Sequence, residues 1–364
     1  MNVSADDRRW MEHALALAAH GLYSTDPNPR VGCVIVQDGT TVGEGWHERA
    51  GGPHAEVYAL RAAGDAARGA TAYLNLEPCA HHGRTGPCAD ALIAAGVARV
   101  VTAVSDPNPV VSGRGFARLE QAGIAVTNGV CEAEAVALNR GFFKRHRDGR
   151  PWFTVKAAAS MDGRTALASG ESRWITGEVA REEVQHLRAR SSAVLTGIGT
   201  VLADDPQLNV RLAGDWRQPA RIVLDPKLRC PPNARLFEGS GPVFVVAARD
   251  DAARVRALSG AGATVVRLPA RRDGRADLGA VAGWLADQHF NEILVEAGAT
   301  LNGALLDAGL IDEFVLYLAP VLLGSGARAL FAMPPLVEMG ARRELVVHDV
   351  SRVGDDWRVT AAMK

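Results

Sequence analysis

Apolar and polar positions along the first half of the chain follow helix-like and strand-like spacing in turn. Helical spacing runs through "DRRWMEHALALAAHG" and ends at Gly21. Two strands, "RVGCVIVQDG" and "TTVGEGWH", are predicted to meet at Asp38-Gly39, a strong hairpin signal. Further helices are predicted in "HAEVYALRAAGDAARG", "CADALIAAGV", "GRGFARLEQAG" and "AVALNRGFFKRHR", and further strands in "ATAYLNLEP" and "ARVVTAVSDP". This alternation predicts an α/β sheet with helices on its faces.

The alternation restarts after a basic, turn-rich stretch, "KRHRDGRP", at 144–151. Strand-like runs follow in "PWFTVKAAAS", "AVLTGIG", "ARIVLD", "PVFVVAA", "ATVVRLP", "EILVEAG" and "EFVLYLAPVLLG". Helices are predicted between them, and the end of the chain reads as a hairpin whose turn contains Gly354. We therefore expect two α/β domains, residues 1–146 and residues 150–364.

Length and composition support this division and narrow the class of protein. A chain of 364 residues is longer than a single hydrophobic core usually supports, so two domains are expected. With 48% hydrophobic and 22% charged residues and a net charge of −1, the chain lacks the excess of positive charge that is typical of proteins that bind nucleic acid or an anionic membrane. The polar, acidic start "MNVSADDRRWMEHA" lacks the order of a signal peptide. We expect a cytoplasmic protein that binds neither nucleic acid nor membrane.

The segment "LEPCAHHGRTGPC" places two of the five cysteines, Cys79 and Cys88, in a Gly/Pro-rich loop. The few, odd-numbered cysteines argue against a disulfide framework, so a metal site, a redox pair and a plain turn remain to be weighed. Upstream, "GGPHAEVYAL" contains His54 and Glu56 at the start of a predicted helix. The joint arrangement of His-Ala-Glu, a strand running into Pro-Cys, and a second Cys that opens a helix favours a metal site.

Zinc suits these residues. A helix N-terminus favours the thiolate form of Cys88. Together with His54 and Cys79, it makes three protein ligands and leaves a fourth position for water, which is the count of a catalytic zinc. Glu56 is expected to act as a proton shuttle to that water because residues two apart on a helix do not share a face. This constellation is that of the zinc deaminases, although eight residues separate the two cysteines here instead of two.

The longer gap contains three groups that can carry positive charge, His81, His82 and Arg84. Such a loop beside a metal suits an anionic substrate such as a sugar phosphate. A solvated polar loop is the alternative interpretation of these three side chains.

The segments "TDPNPRVGCVIV", "GEGWHERAGGPHAE" and "LEPCAHHGRTGPCADALI" closely resemble the deaminase half of the bifunctional riboflavin-biosynthesis deaminase–reductases. The long gap between the cysteines belongs to that family's pattern. The resemblance implies a cytidine-deaminase-like three-layer fold. It also implies that Asn28 helps to hold the pyrimidine, with an Asn-Pro turn as the alternative.

In the second half, the residues alone leave the chemistry open. The segment "EILVEAGATLNGALL" reads as a strand, small residues and then a helix. Helix N-termini bind phosphate, so a pyrophosphate-bearing cofactor could lie there. A strand–turn–helix packing joint explains the segment equally well.

The segments "VKAAASMDGRTA", "SGESRWITG", "HLRARSSAVLTGIGTVLADDPQLNVR" and "VEAGATLNGALL" resemble the reductase half of the same family. The resemblance implies a dihydrofolate-reductase-like fold and NADPH as hydride donor. The cofactor contacts it implies are Ala158, Trp174, Thr200, Asp204, Gly298, Ala299, Thr300, Leu301, Asn302, Gly303 and Ala304. The substrate contacts it implies are Ser172, Arg188, Leu208, Arg211 and Glu296, with the two arginines as phosphate clamps.

Both halves together predict a two-domain α/β enzyme that uses zinc and NADPH. We expect zinc-dependent deamination of a phosphoribosyl diaminopyrimidinone, then reduction of its ribosyl group to ribityl, in a homo-oligomer. Two alternatives are a zinc deaminase whose second domain has lost reduction, and a nucleotide-binding module without tightly bound zinc.

Overall fold

The computed structural model describes residues 4–80 and 86–364. The chain forms two compact units, Met1–Gly149 and Arg150–Lys364. Among the described residues, no helix has both the length and the apolar character needed to cross a membrane.

The first unit is built on a five-stranded sheet with the strand order β2-β1-β3-β4-β5. The strand β1 pairs antiparallel with β2 and β3, while β3, β4 and β5 run parallel. The elements are α1 (Ala5–Ala19), β1 (Gly32–Gln37), β2 (Thr40–Trp46), α2 (Ala55–Ala63), β3 (Thr71–Leu74), α3 (Cys88–Ala95), β4 (Arg99–Thr102), α4 (Arg114–Gln121), β5 (Ala125–Asn128), α5 (Glu132–Leu138) and α6 (Arg140–Asp148).

Alternating side chains of this sheet serve two hydrophobic cores. Val34 points to the core made with α1, α5 and α6, and Ile35 points to the core made with α2, α3 and α4. Helices therefore cover both faces, which confirms the predicted three-layer α/β architecture. The predicted hairpin at Asp38-Gly39 is present, since Gln37 pairs with Thr40.

One helix prediction in this unit is wrong. The run "AVALNRGFFKRHR" forms two helices, which break at Asn139. The Asn139 amide side chain accepts a hydrogen bond from Arg30 N at 2.8 Å and donates one to Arg30 O at 2.9 Å. A buried pairing with a segment far away in sequence thus ends the helix, and periodicity cannot detect it.

The second unit is built on a nine-stranded sheet with the order β11-β10-β9-β8-β12-β6-β13-β16-β15. The first seven of these strands run parallel, and the C-terminal hairpin adds two antiparallel strands. The elements are β6 (Trp152–Ser160), β7 (Arg164–Ala166), α7 (Glu178–Arg190), β8 (Ala193–Gly197), α8 (Ile198–Asp204), β9 (Ala220–Leu224), β10 (Val243–Ala247), α9 (Ala252–Gly260), β11 (Ala263–Arg267), α10 (Leu278–Asp287), β12 (Glu292–Val295), α11 (Ala299–Asp307), β13 (Glu313–Ala319), β14 (Arg328–Ala329), β15 (Leu345–Val353) and β16 (Asp356–Met363).

The core of this sheet is its run of buried parallel strands. Phe153, Leu195, Ile222 and Ile293 contribute to one cluster, as expected for strands covered on both faces. The predicted strand "EFVLYLAPVLLG" is shorter than expected and ends at Ala319, because Pro320 has no N–H with which to continue the ladder. The C-terminal hairpin turns at Gly354, as predicted, with φ at 63°.

Candidate active sites

In the first unit, three predicted zinc ligands lie together. His54 precedes α2, Cys79 follows β3, and Cys88 is the first residue of α3. The His54 Nδ1 atom lies 3.3 Å from Cys88 Sγ and 3.7 Å from Cys79 Sγ. All three potential ligand atoms lie within 4.8 Å of one another. A single ion can therefore contact all three, and one imidazole with two thiolates is a donor set typical of zinc.

Local electrostatics favours a thiolate at Cys79. Hydrogen bonds from Cys88 and His54 lower the pKa of the Cys79 thiol to about 4, against the opposing effect of burial. The backbone N–H of Cys88, at the start of α3, also donates to Cys79 Sγ at 3.3 Å. A metal ligand must be deprotonated, so the first turn of α3 prepares Cys79 for this role.

Glu56 lies in the first turn of α2 with its side chain buried. Its Oε2 atom has no hydrogen-bond partner among the described residues. Burial raises the pKa of this carboxyl, while the positive charge of His54 opposes the rise. An unpaired buried carboxylate oxygen close to the three ligands fits a group that exchanges protons with a bound reactant.

Asn28 is connected to the ligand set through His47, a residue that the sequence analysis did not single out. Asn28 Nδ2 donates to His47 Nε2 at 3.1 Å, and His47 Nδ1 donates to Pro53 O at 2.8 Å. The His47 ring packs edge-on against His54 at a centroid distance of 5.4 Å. In the sequence, the one indication of a role for His47 is its position seven residues before His54. The predicted contacts His81, His82 and Arg84 lie outside the described residues.

Near the same site lies another buried carboxylate, Glu77, which the sequence analysis did not single out. It accepts hydrogen bonds from the backbone N–H groups of Asp106, Gly113 and Gly115 at 3.1, 3.0 and 2.9 Å. These bonds join the loop after β4 to the segment that leads into Cys79. Its only sequence signal was its position two residues before a ligand.

In the second unit, a cavity of about 1170 Å³ opens at the carboxyl ends of the parallel strands. This edge is where open α/β sheets bind ligands. The predicted contacts that line it are Ala158, Ser172, Trp174, Arg188, Thr200, Asp204, Leu208, Glu296, Gly298, Ala299, Thr300, Leu301 and Ala304.

Arg211, Asn302 and Gly303 are not among the residues that line this cavity. Asn302 is buried and donates to Ala297 O and Leu330 O at 3.2 and 3.3 Å. A Cβ atom at position 303 would lie 2.2 Å from Ala332 O, so glycine permits a close backbone approach there. Cofactor contacts from these two helix positions, and a substrate contact from Arg211, stay predictions.

Arg188 and Glu296 form a buried ion pair that lines the cavity. A third guanidinium nitrogen, Arg188 Nη1, donates to Asn209 O at 3.0 Å. The positive charge of Arg188 lowers the pKa of the Glu296 carboxyl, although burial acts to raise that pKa. The predicted bidentate contact of Arg188 with a phosphate requires this pair to open.

Comparisons with known proteins identify the family of both units. Residues 4–104 match the cytidine and deoxycytidylate deaminase zinc-binding region, and residues 151–358 match the RibD C-terminal domain. The riboflavin biosynthesis protein RibD of Escherichia coli is 50% identical over 366 residues, which cover 96% of this chain and 97% of that protein. The chain belongs to the RibD family. Proteins of this family are bifunctional, and the chain is a deaminase and reductase of riboflavin biosynthesis that uses zinc and NADPH.

Solved structures of the RibD family also match across both units. Acinetobacter baumannii RibD has a TM-score of 0.91 and 45% identity, with 99% of each chain covered. A Thermotoga maritima diaminohydroxyphosphoribosylaminopyrimidine deaminase/5-amino-6-(5-phosphoribosylamino)uracil reductase has a TM-score of 0.86 and 32% identity over 99% of each chain.

Proposed function

We propose that residues 1–146 deaminate 2,5-diamino-6-(5-phosphoribosylamino)pyrimidin-4(3H)-one and that residues 150–364 reduce the product. The final product would be 5-amino-6-(5-phosphoribitylamino)uracil. The observation that carries the proposal is the set of His54, Cys79 and Cys88 beside the unpaired Glu56 oxygen, in one chain with a large cavity in a second unit. The Thermotoga maritima relative is named for both activities, which supports the same pairing here.

In the deaminase unit, His54, Cys79 and Cys88 would hold the zinc ion. Zinc in such a site lowers the pKa of water to about 7 and so makes a nucleophile available at neutral pH. Glu56 Oε2 accepts the proton of the attacking water and delivers it to a ring nitrogen. The same oxygen then takes the proton of the hydroxyl group that the attack has placed on the ring carbon and passes it to the amine; the carbonyl forms, the C–N bond breaks and ammonia leaves.

The surroundings of the site position the pyrimidine. Asn28 is fixed by His47, so its amide can present the same hydrogen-bonding groups to each substrate molecule. We assign to His81, His82 and Arg84 the contact with the anionic part of the substrate, because a phosphoribosyl group needs cationic partners.

In the reductase unit, the start of α11 would hold the cofactor's pyrophosphate. Gly298 precedes this helix, and the first backbone N–H groups of a helix attract phosphate. When bound, the cofactor would supply a hydride to the first carbon of the sugar in its open-chain imine form, so that the C=N bond becomes a single bond and its nitrogen takes up a proton. Ser172, Leu208 and the Arg188–Glu296 pair hold the substrate in the cavity, and Arg211 contacts its phosphate.

The buried half of the cavity also excludes water from the hydride step. Arg188 and Glu296 have side chains only 9% and 13% exposed. Because the pair is held by two hydrogen bonds and by Asn209 O, it presents a fixed arrangement of charge to the sugar.

We further propose that the protein acts in the cytoplasm as a homo-oligomer. None of the five cysteines forms a disulfide, which suits a reducing compartment. The edge strand β15 exposes Val346, Val347 and Val350, and such edges favour pairing with another chain. Cell fractionation tests the first statement. Light scattering of the wild type and of Val350→Lys tests the second, with a fall in mass expected for the variant.

The decisive test of the deaminase assignment is Glu56→Gln in the full chain. We expect loss of ammonia release with zinc content unchanged, while reduction of the deaminated intermediate continues at the wild-type rate. Glu120→Gln, an exposed glutamate on α4, is the matched control. Parallel loss of both activities in a folded protein would contradict the division of labour between the two units.

A further inference from the structure

His47 lies between the predicted pyrimidine contact and a predicted zinc ligand of the first unit. It is only 3% exposed. Each of its two ring nitrogen atoms has one partner, Nδ1 the carbonyl of Pro53 and Nε2 the side-chain amide of Asn28. The ring also packs edge-on against His54, with the ring centroids 5.4 Å apart. Since both nitrogen atoms are already bonded, any effect of His47 on a substrate must pass through a neighbouring residue.

The partners of His47 determine which of its nitrogen atoms carries hydrogen. The carbonyl oxygen of Pro53 can only accept, so Nδ1 of His47 must be the donor of that bond. Within the part of the chain that the structure describes, His47 has no carboxylate partner, and an imidazolium at this depth would be a buried charge without a counter-charge. The ring is therefore neutral, and Nε2 is a hydrogen-bond acceptor.

The acceptor at His47 Nε2 determines the orientation of the Asn28 amide. The group that faces it at 3.1 Å must be the Nδ2 amino group, because the amide oxygen would meet a lone pair there. The Asn28 oxygen, Oδ1, makes no hydrogen bond within residues 4–80 and 86–364, and Asn28 is only partly buried. A half-turn of the amide would lose the bond to His47. Oδ1 is therefore the atom that Asn28 has left to bind a ligand.

The backbone segments that carry Asn28 and His47 are held by further contacts. His47 N donates to Val31 O at 2.8 Å, and Asn28 N donates to Thr25 O at 2.8 Å. Gly21 permits a close approach of the chain, since a Cβ atom at that position would lie 2.9 Å from His47 O. The two segments are thus fixed in place, and the ring of His47 in turn fixes the side-chain amide of Asn28.

We propose that His47 is a positioning residue that presents Asn28 Oδ1 to the pyrimidine as a hydrogen-bond acceptor, and that the deaminase unit thereby selects rings with an N–H group. This inference rests on the proposed deaminase function. In a 2-aminopyrimidin-4(3H)-one, the carbon that loses its amine lies between a ring N–H and the ring nitrogen that Glu56 protonates. In the cytosine ring of a nucleoside, the ring nitrogen beside the amine-bearing carbon has a lone pair instead. An acceptor oxygen attracts the N–H and repels the lone pair.

The first test separates substrate binding from chemistry. KM and kcat of ammonia release are measured for the full-length, zinc-loaded wild type, His47→Phe, Asn28→Ala and the double variant. Each single variant is expected to raise KM about three- to tenfold, the size of one hydrogen bond, with kcat and zinc content unchanged. The double variant should resemble the single ones, because His47 acts through Asn28. His13→Phe, on α1 with its side chain 38% exposed, is the matched control and should behave like the wild type.

Two conservative variants distinguish orientation of Asn28 from support of Pro53. His47→Gln brings an amide oxygen close to the position of Nε2, where it can accept from Asn28, so KM should return towards the wild-type value. His47→Asn keeps a donor near Nδ1 for Pro53 O but does not reach Asn28, so KM should rise as in His47→Phe. The reverse order, or a loss of zinc at unchanged KM, would mean that His47 supports only the His54 segment and would overturn the inference.

The second test concerns the ring N–H. Competitive inhibition of ammonia release is measured with 2-aminopyrimidin-4(3H)-one and with 2-amino-4-methoxypyrimidine, which has no ring N–H. The wild type should bind the first about three- to tenfold more tightly, and Asn28→Ala should lose this preference. Equal or absent inhibition of the wild type, or a preference that persists in Asn28→Ala, would overturn the inference while leaving the deaminase function intact. A zinc-loaded wild type that released no ammonia from the phosphoribosyl diaminopyrimidinone would contradict the proposed deaminase function itself.

Discussion

Arg188 and Glu296 lie side by side in the reductase cavity, joined by two hydrogen bonds, Nε to Oε1 at 2.6 Å and Nη2 to Oε2 at 2.9 Å. The residues come from α7 and from the segment after β12, so the pair ties a helix to the strand edge at which the cofactor is expected. Because the two side chains are only 9% and 13% exposed, removal of either one leaves the other charge without its partner in a site with little water.

We therefore predict that Glu296→Leu destabilises the chain by about 3–5 kcal/mol, and that the Arg188→Met/Glu296→Leu double variant is much less destabilised than either Glu296→Leu or Arg188→Met alone. Urea unfolding of the wild type, the two single variants and the double variant measures the coupling. The exposed pair Arg267–Asp250, with side chains 65% and 71% exposed, is the control and should show a coupling of about 1 kcal/mol or less. Similar coupling at the two sites would contradict the prediction.

A second prediction concerns the support of the proposed zinc ligands. Glu77→Gln replaces one acceptor oxygen by an NH₂ group that faces backbone N–H donors. The loop after β4 should loosen against the Cys79 segment, and zinc affinity should fall about 10- to 100-fold, as for other supporting groups around metal ligands.

Chelator competition followed by metal analysis measures this loss. Glu120→Gln serves as the surface control and should bind zinc like the wild type. If Glu77→Gln retained wild-type zinc affinity, Glu77 would support only the fold of the loop.

Gly115 tests the close packing of that same loop. A Cβ atom at this position would lie 2.1 Å from Pro78 O, so the backbone must shift in Gly115→Ala. We expect a loss of about 1–3 kcal/mol in the free energy of unfolding, as for other overpacked sites. Gly283→Ala, in the middle of α10 with open space around the new methyl group, should instead stabilise the chain by about 0.5–1 kcal/mol. Chemical denaturation distinguishes the two, and equal effects would contradict the packing argument.

The stability of the first unit is predicted to depend on whether the carboxyl group of Asp7 is ionised. Burial acts to raise the pKa of its carboxyl, but hydrogen bonds from Arg99 and Ser4 lower it to about 2. A carboxyl whose pKa is lower in the folded state stabilises fully above its unfolded pKa of about 3.9, and this stabilisation is lost as the pH falls towards 2. The contribution at neutral pH is about 2 kcal/mol.

Thermal unfolding between pH 6 and pH 2 should therefore show a steeper decline for the wild type than for Asp7→Asn. The exposed carboxylate of Asp65, replaced in Asp65→Asn, provides the comparison on the same unit. Parallel curves for Asp7→Asn and the wild type would show that the Asp7–Arg99 contact does not contribute to the acid transition.

Local sequence signals predicted most of the elements and three side chains that the structure brings together. Alternating apolar positions located the strands, Asp38-Gly39 located a hairpin, and Cys88 indeed opens a helix. His54, Cys79 and Cys88 could be predicted as zinc ligands because metal chemistry restricts the residue types and the family restricts their spacing. No local pattern, by contrast, indicates that Asn139 binds Arg30 and splits a helix, because the two partners are far apart in the chain.

The same limit explains what was missed at the sites. His47 and Glu77 act through contacts with backbone groups that only the folded chain brings near. The family resemblance predicted Arg188 as a phosphate clamp, whereas its ion pair with Glu296 depends on how α7 packs against the sheet. The role of a charged side chain thus depends on its partners more than on its own chemistry.

The position of β6 in the nine-stranded sheet has a consequence for how the chain folds. This strand is the first of its unit to leave the ribosome, yet it lies between β12 and β13, which are synthesised much later. Its backbone N–H and C=O groups have no strand partners until β12 and β13 are made, and pairing between such distant segments is intrinsically slow. The five strands of the first unit, in contrast, all precede residue 129, so that unit can complete its sheet during synthesis while the second unit is still unpaired. Chaperone demand in the cell should accordingly fall on the second half of the chain.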